Sequence, residues 1–477
     1  MSKPFPTDDP YLRGYYAPLH MECDAPNLPI TGELPRELFG SYYRNGPNPQ
    51  FAPRGPHHWF AGDGMLHAFQ LENGRASYRN RWVQTPKWQL EHAEGEGLSG
   101  AFGNPRYSDP RITALDSTTA NTNVLWHAGK LLALEEAHAP FAVDPVTLAP
   151  LGDCRFGGGP AGDLQGPVTA HPKIDPVSGE MICFGYATRG RFSADMTLHV
   201  ISPDGQLLRS AHFAAPFPSM VHDFVVTQKH IIFPIFPLTG SRDRAMKGLP
   251  PYAWEPELGT HIGIMPRAGS VADLRWFRSE ACYVFHPMNA FDGDDGSVVC
   301  DMMRYDVAPL FPRPDGSPAG PRSPQARLER WTFDLTKPSD RFKQAPLSDL
   351  RGEFPRLDER LAMLPYRHGY LRCDVPGADG RNSNRQEGLA HVDLHTGNIL
   401  TWQPAPGDYC GEPLFVPRQP DAAEGDGWLL SLVYRGAENR SDLAVFDASD
   451  IAAGPQALVH LSHRVPAGFH GNWRPGG

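Results

Sequence analysis

Apolar residues along this chain come in short bursts separated by clusters of Gly, Pro, Asn and Asp. The runs Lys130–Glu135, Met181–Tyr186, Thr197–Ile201, Ile231–Phe236, Val298–Met302, Trp428–Val433 and Leu443–Phe446 predict β-strands. Turn signals fall between such runs: Glu72-Asn-Gly, Pro176-Val-Ser-Gly, Pro203-Asp-Gly and Asp292-Gly-Asp-Asp-Gly. This rhythm predicts an all-β fold, and the length suits a propeller of about seven four-stranded blades. No clean internal repeat accompanies it. Helical patterns are few and short, Leu34–Phe39 and Leu357–Leu364. Pro237–Glu257 and Pro309–Pro324 are expected as long loops capping one face. No shift in composition divides the chain, so residues 1–477 are expected to form a single domain.

Composition narrows the function. Formal net charge is -10 and no Lys/Arg block occurs, which argues against a nucleic-acid partner. The 7 cysteines are scattered, without a Cys-x-x-Cys pair, as expected for a reducing compartment and against a zinc–thiolate site. The first ten residues contain acids and no apolar run, unlike a targeting peptide. No stretch approaches a membrane span. The expectation is a soluble cytoplasmic protein with no obligate protein partner. The Leu-Pro-Pro-Tyr-Ala-Trp segment within Pro237–Glu257 is a candidate for transient membrane-surface contact, with a packed lid the preferred reading.

Four of the 20 histidines sit in distinctive short settings: His171 in Thr-Ala-His-Pro-Lys, His222 in Met-Val-His-Asp-Phe, His286 in Val-Phe-His-Pro-Met-Asn and His470 in Gly-Phe-His-Gly-Asn-Trp. Strand ends of a circular β fold converge on its axis, so histidines far apart in sequence could meet on one metal ion. Ligating imidazoles need carboxylates on their second nitrogen. Glu136, Glu353 and Glu412 are candidates, although spacing alone favours surface charges for them. The two Gly-x-Gly-x-x-Gly strings, at 95–100 and 157–162, do not join a strand-like run to a helical one, and no phosphate-binding loop is present, so nicotinamide chemistry is not expected.

These motifs resemble the carotenoid cleavage oxygenases, a family that includes bacterial apocarotenoid, lignostilbene and isoeugenol-cleaving enzymes. The resemblance runs in order through Gly32-Glu-Leu-Pro-Arg-Glu-Leu, Tyr43-Arg-Asn-Gly-Pro-Asn-Pro, His58-Trp-Phe-Ala-Gly-Asp-Gly-Met and Ala120-Asn-Thr-Asn-Val. It continues through the four histidine motifs, Glu353-Phe-Pro-Arg and Glu412-Pro-Leu-Phe-Val-Pro-Arg, to Phe469-His-Gly-Asn-Trp. It implies a seven-bladed propeller with one Fe(II) held by His171, His222, His286 and His470, and supporting carboxylates at Glu136, Glu353 and Glu412. It places Thr122 where its methyl would crowd one coordination position. The implied reaction uses O2 as cosubstrate to split a conjugated C=C of a lipophilic alkene into two carbonyls. The alkene supplies the electrons, so neither NAD(P) nor 2-oxoglutarate is expected.

For the substrate, the resemblance puts Phe102 and Glu135 where the phenol-cleaving members carry a Tyr and a Lys that hold the phenol. A carboxylate there opposes a phenolate. Trp59, Phe60, Phe102, Tyr283 and Phe285 could line an apolar tunnel or equally pack the core. The sequence reading therefore favours an apocarotenoid-like polyene, with a stilbene or phenylpropanoid as alternative. A non-redox isomerase and a degenerate binding propeller are remote alternatives.

Overall fold

A computed structural model of the chain describes residues 3–100, 102, 105–115, 117–321, 324–376 and 385–476. These form 32 strands and three short α-helices. The strands pair antiparallel in open sheets, three of them four-stranded and the others of two, five, six and seven strands. The all-β expectation holds. Five of the seven predicted runs lie within a strand, and Lys130–Glu135 and Ile231–Phe236 each run one residue past theirs; Trp428–Val433, for example, belongs to Gly427–Arg435, which pairs with Arg440–Asp447 from Trp428 opposite Asp447 to Arg435 opposite Arg440.

The described residues fall into two compact units: Met1–Arg155 with Val375–His391 and Leu400–Gly477, and Phe156–Asp374 with Val392–Ile399. In the first, Gly64–Glu72 turns into Arg75–Trp82 through Asn73 and Gly74, both at positive φ. An Asn-Gly pair tolerates that conformation and so sets the hairpin register. Trp428, Leu430, Leu443 and Val445 pack with Tyr42 and Phe69 into one apolar core of this unit. In the second, Phe184, Phe224, Phe233 and Ile235 centre another core.

The helical expectations fare less well. Leu34–Phe39 contains only a turn at 36–37, too short for a helix to nucleate between Pro35 and Gly40, and buries Leu34 and Leu38. Leu357–Leu364 narrows to the 3-10 turn Glu359–Leu361, capped by the Asp358 carboxylate. The longest helix, Pro86–Glu94, was not expected. Thr85 caps it, Pro86 opens it and Gly95, at φ 71°, closes it. Pro237–Glu257 is not a loop. Leu238–Gly240 pairs with Tyr252–Trp254, and the helix Arg242–Met246 forms the tip. The Arg244 guanidinium fastens this hairpin to Glu255 at 3.0 Å and to the Pro250 carbonyl at 3.1 Å. In Pro309–Pro324, residues 322 and 323 lie outside the described residues.

Candidate metal centre

Within the second unit, three of the four histidines meet. His286 lies inside the strand Tyr283–Asp292, while His171 and His222 occupy irregular segments before the strands Lys173–Ile174 and Val225–Val226. The Nε2 atoms of His171 and His222 face each other at 3.1 Å, and those of His222 and His286 also at 3.1 Å. Imidazoles held ~2.1 Å from one ion at right angles would have nitrogens ~3.0 Å apart. All three rings are buried.

The His286 ring is fixed from behind. His286 Nδ1 lies 2.6 Å from Glu353 Oε2, which also accepts the Phe354 amide at 2.5 Å. A proton on Nδ1 leaves the Nε2 lone pair free for a metal. Burial acts to raise the Glu353 pKa, but His286, the Phe354 amide and Arg372 outweigh it and hold the carboxyl below its usual range. Phe354 adopts φ 55°, a conformation disfavoured for an aromatic residue, and its ring stacks on His286 at 5.3 Å. Thr169 accepts the His171 amide at 3.0 Å and donates to the His222 carbonyl at 3.3 Å. Asp223 stands 3.8 Å from His171 Nδ1, beyond hydrogen-bond range, and is tied to Lys173 at 2.7 Å and the Phe224 amide at 2.7 Å. Neither Thr169 nor Asp223 was singled out by the sequence, although both lie within the histidine motifs.

The first unit holds His470, Glu412, Glu136 and Thr122. His470 Nδ1 lies 2.8 Å from Glu412 Oε1, and Glu412 Oε2 accepts the Gly471 amide at 2.9 Å. The His470 amide donates to the Thr122 carbonyl at 3.2 Å, and the Thr122 amide to the Leu134 carbonyl at 2.9 Å. The Thr122 hydroxyl donates to Asn121 Oδ1 at 3.0 Å, while the Asn121 amide nitrogen reaches the Phe60 and Gly62 carbonyls at 2.8 and 2.6 Å. Glu136 is half-buried just beyond the strand Lys130–Leu134. Its neighbour Glu135 lies 2.5 Å from His138 Nδ1. Burial raises the Glu135 pKa, but the His138 partner, the Ala137 amide and Thr118 together leave it lowered.

The expected apolar wall residues group by unit. Trp59 and Phe60 sit on a 3-10 turn capped by His58. Trp59 packs on Phe469 at 4.6 Å, Phe60 on Phe469 at 5.5 Å and on Phe102 at 5.6 Å, and His58 stacks on Phe102 at 4.9 Å. Burial pushes the His58 pKa down to about 4, so this imidazole is neutral and packs as an aromatic ring. Phe469 and His58 were missed, although both lie in motifs read for their neighbours. Residues 101, 103 and 104, flanking Phe102, lie outside the described residues. In the second unit Phe285 meets the edge of His222 at 5.1 Å, and Tyr283 meets Phe285 at 4.8 Å.

In this mostly β chain, three buried imidazoles of the second unit bring their Nε2 atoms to within 3.1 Å of one another in succession, an arrangement able to hold a metal ion. The family model described as retinal pigment epithelial membrane protein matches residues 16–475, and the chain belongs to this family, that of the carotenoid cleavage oxygenases. It is 37% identical over 476 residues to an isoeugenol monooxygenase of Pseudomonas putida, covering 98% of this chain and 99% of that protein. It is likewise 37% identical to lignostilbene-α,β-dioxygenase isozyme III of Sphingomonas paucimobilis, over 97% of this chain and 96% of that one. The crystal structure of Pseudomonas brassicacearum lignostilbene dioxygenase superposes with a TM-score of 0.93, at 38% identity over 100% of both chains. Cobalt-substituted Synechocystis ACO superposes with a TM-score of 0.84, at 28% identity over 96% and 97%. The chain is an oxygenase of this family.

Proposed function

We propose that this chain is a non-heme iron dioxygenase in which His171, His222, His286 and His470 hold one Fe(II), and that it splits a conjugated C=C with O2 into two carbonyls. The observation that carries the reading is the meeting of His171, His222 and His286, whose successive Nε2 atoms lie 3.1 Å apart; His470, oriented by Glu412, is assigned as the fourth ligand. Four neutral imidazoles suit a first-row metal and add no charge of their own. Iron bound there would supply O2 activation. The protein's residues set the conditions for it: Glu353 and Glu412 fix the ring orientation of His286 and His470, and Glu136 is assigned as a third such carboxylate. The Thr122 hydroxyl is committed to Asn121, which leaves its methyl to crowd one coordination position. Both oxygen atoms of O2 enter the two carbonyls and the cleaved double bond gives up the four electrons, so no NAD(P) or 2-oxoglutarate is consumed. In this reading the sheets close as a seven-bladed propeller and residues 1–477 act as one domain. The protein works in the cytoplasm, and Met246 and Leu249, exposed near the hairpin tip, are the point for transient membrane-surface contact.

For the alkene, the named relatives weigh toward aryl alkenes over the polyene, since isoeugenol, lignostilbene and resveratrol oxygenases match over nearly the whole chain. Phe102 among aromatic rings and an anionic Glu135 weigh against a phenolate. We assign a stilbene- or phenylpropanoid-type alkene bound without an ionised phenol. The apocarotenoid-like polyene is the second reading, favoured by the apolar Phe60–Phe102–Phe469 group. The test is protein loaded with Fe(II) under oxygen-18 gas, with stilbenes, phenylpropenes and apocarotenals as substrates and no reductant. Labelled carbonyls at about one iron per chain are expected. A strict requirement for 2-oxoglutarate or NADH, or full activity after chelation, would overturn the reading.

A further inference from the structure

The motif Tyr43-Arg-Asn-Gly has no part in the chemistry described so far, yet its side chains are among the most buried polar groups of the chain. Arg44 is 3% exposed and Asn45 0%. One Arg44 nitrogen (Nη1) reaches Glu412 Oε2 at 3.5 Å, and the other (Nη2) donates to the Gly468 carbonyl at 3.1 Å. Glu412 Oε1 faces His470 Nδ1, so the guanidinium grips both the carboxylate that orients His470 and the backbone two residues before it. Asn45 completes the grip. Its amide donates to the His470 carbonyl at 2.9 Å and its carbonyl accepts the Phe469 amide at 3.0 Å. Its side-chain nitrogen reaches the Ala120 and Asn123 carbonyls, both at 2.8 Å, on either side of Thr122. The local chain is shaped for this closeness: a Cβ on Gly46 would come within 2.5 Å of the Gly468 Cα, and one on Gly468 within 2.8 Å of the Asn45 carbonyl oxygen.

We propose that Arg44 is a positioning residue for the metal: by holding Glu412 and the Gly468 carbonyl it fixes the His470 imidazole, and so sets how tightly His470 binds the ion. This rests on the reading of His470 as a ligand. A planar guanidinium can satisfy a carboxylate and a carbonyl together in one fixed geometry, which an ammonium point charge cannot. Partners behind a metal-bound imidazole are worth ~10–100-fold in metal affinity.

The experiment measures the Co(II) dissociation constant of full-length protein by chelator competition, together with the melting temperature without metal, for wild type, Arg44→Lys, Arg44→Met, Arg435→Met and His470→Ala. Arg435 is the control, since it is also buried in ion pairs of the same unit, with Asp408 and Asp442. Expected results are ~10–100-fold weaker binding for Arg44→Met, an intermediate loss for Arg44→Lys, and lowered melting without change of affinity for Arg435→Met. If Arg44→Met does not fold, Arg44→Lys, which keeps the charge, decides by the same comparison. Arg44 variants that melt earlier but bind Co(II) like wild type would overturn the proposal, leaving Arg44 a packing residue. If His470→Ala also binds like wild type, the fourth-ligand reading fails with it; if only His470→Ala binds weakly, that reading stands alone.

Discussion

Glu353→Ala is the sharpest test of the idea that carboxylates behind the imidazoles set the metal site. The substitution removes the acceptor for His286 Nδ1 at 2.6 Å and for the Phe354 amide at 2.5 Å. Two effects separate. Leaving a buried N–H without an acceptor costs ~1–3 kcal/mol of folding stability. Releasing the His286 ring lowers metal affinity by ~10–100-fold, equivalent to ~1.4–2.7 kcal/mol. Glu353→Gln keeps a neutral acceptor in place and loses only the charge assistance, which about doubles such a bond, so its loss of affinity falls below that of alanine. Chelator competition with Fe(II) under anaerobic conditions reads the affinity, and urea unfolding of the metal-free protein reads the stability. The order wild type, Gln, Ala in affinity is expected. Metal binding by Glu353→Ala equal to wild type, with stability lowered, would reduce Glu353 to a structural group and refute the reasoning.

Two other outcomes are expected. Burial lowers the pKa of His199 to about 4 and that of His67 to about 3. Below the unfolded value of about 6.5 the unfolded chain takes up a proton that the folded one refuses, so stability falls as pH drops from about 6.5 toward the folded pKa values. Each contributes a loss of about 2 kcal/mol between pH 7 and 5; His199→Gln should flatten the acid dependence of the urea midpoint by that amount, and an unchanged slope would show that His199 accepts a proton in the fold. Glu135→Lys combined with Phe102→Tyr should raise kcat/KM for 4-hydroxystilbenes relative to 4-methoxystilbenes, since the cation favours the phenolate that Glu135 opposes; wild-type preference for the 4-hydroxy compounds would overturn the substrate reading.

Legibility in the sequence followed the range of the interaction. Strands were visible because one period repeats along each run, and the hairpin at Asn73-Gly74 because two adjacent residues carry the required φ. The four histidines stood out by their short settings, but the two glutamates were legible only through motifs that resemble a known family; spacing alone left Glu353 and Glu412 as surface charges. Asp223 stayed hidden because Met-Val-His-Asp-Phe was read for its histidine, and nothing local says that Lys173, fifty residues earlier, closes on it at 2.7 Å. The helix Pro86–Glu94 carries its signals, Thr85, Pro86 and Gly95, but its interior buries Lys87 against Asp63 and Glu91, a pairing that reads as polar surface from one dimension. Phe469 entered only as part of the His470 motif, and nothing local says that Trp59 packs on it at 4.6 Å.

The carboxylates near the histidines share a construction that a packing argument alone does not require. Glu353 takes the amide of Phe354 and the field of Arg372; Glu412 takes the amide of Gly471 and the guanidinium of Arg44; Asp223 takes the amide of Phe224 and the ammonium of Lys173. A buried carboxylate is expensive to desolvate, and one backbone N–H with one cation lowers that cost. The remaining lone pairs can then be spent on an imidazole. An apolar residue of the same size would pack as well and be easier to bury, so the charged groups behind His286 and His470 fit rings that must keep one tautomer and one orientation. Asp223 tests the rule from the other side. At 3.8 Å from His171 Nδ1 it gives that ring the loosest support. Asp223→Asn should therefore weaken metal binding less than Glu353→Gln, and a larger effect at Asp223 would mean that the carboxylate is acting by charge on the ion instead of by holding its ligand.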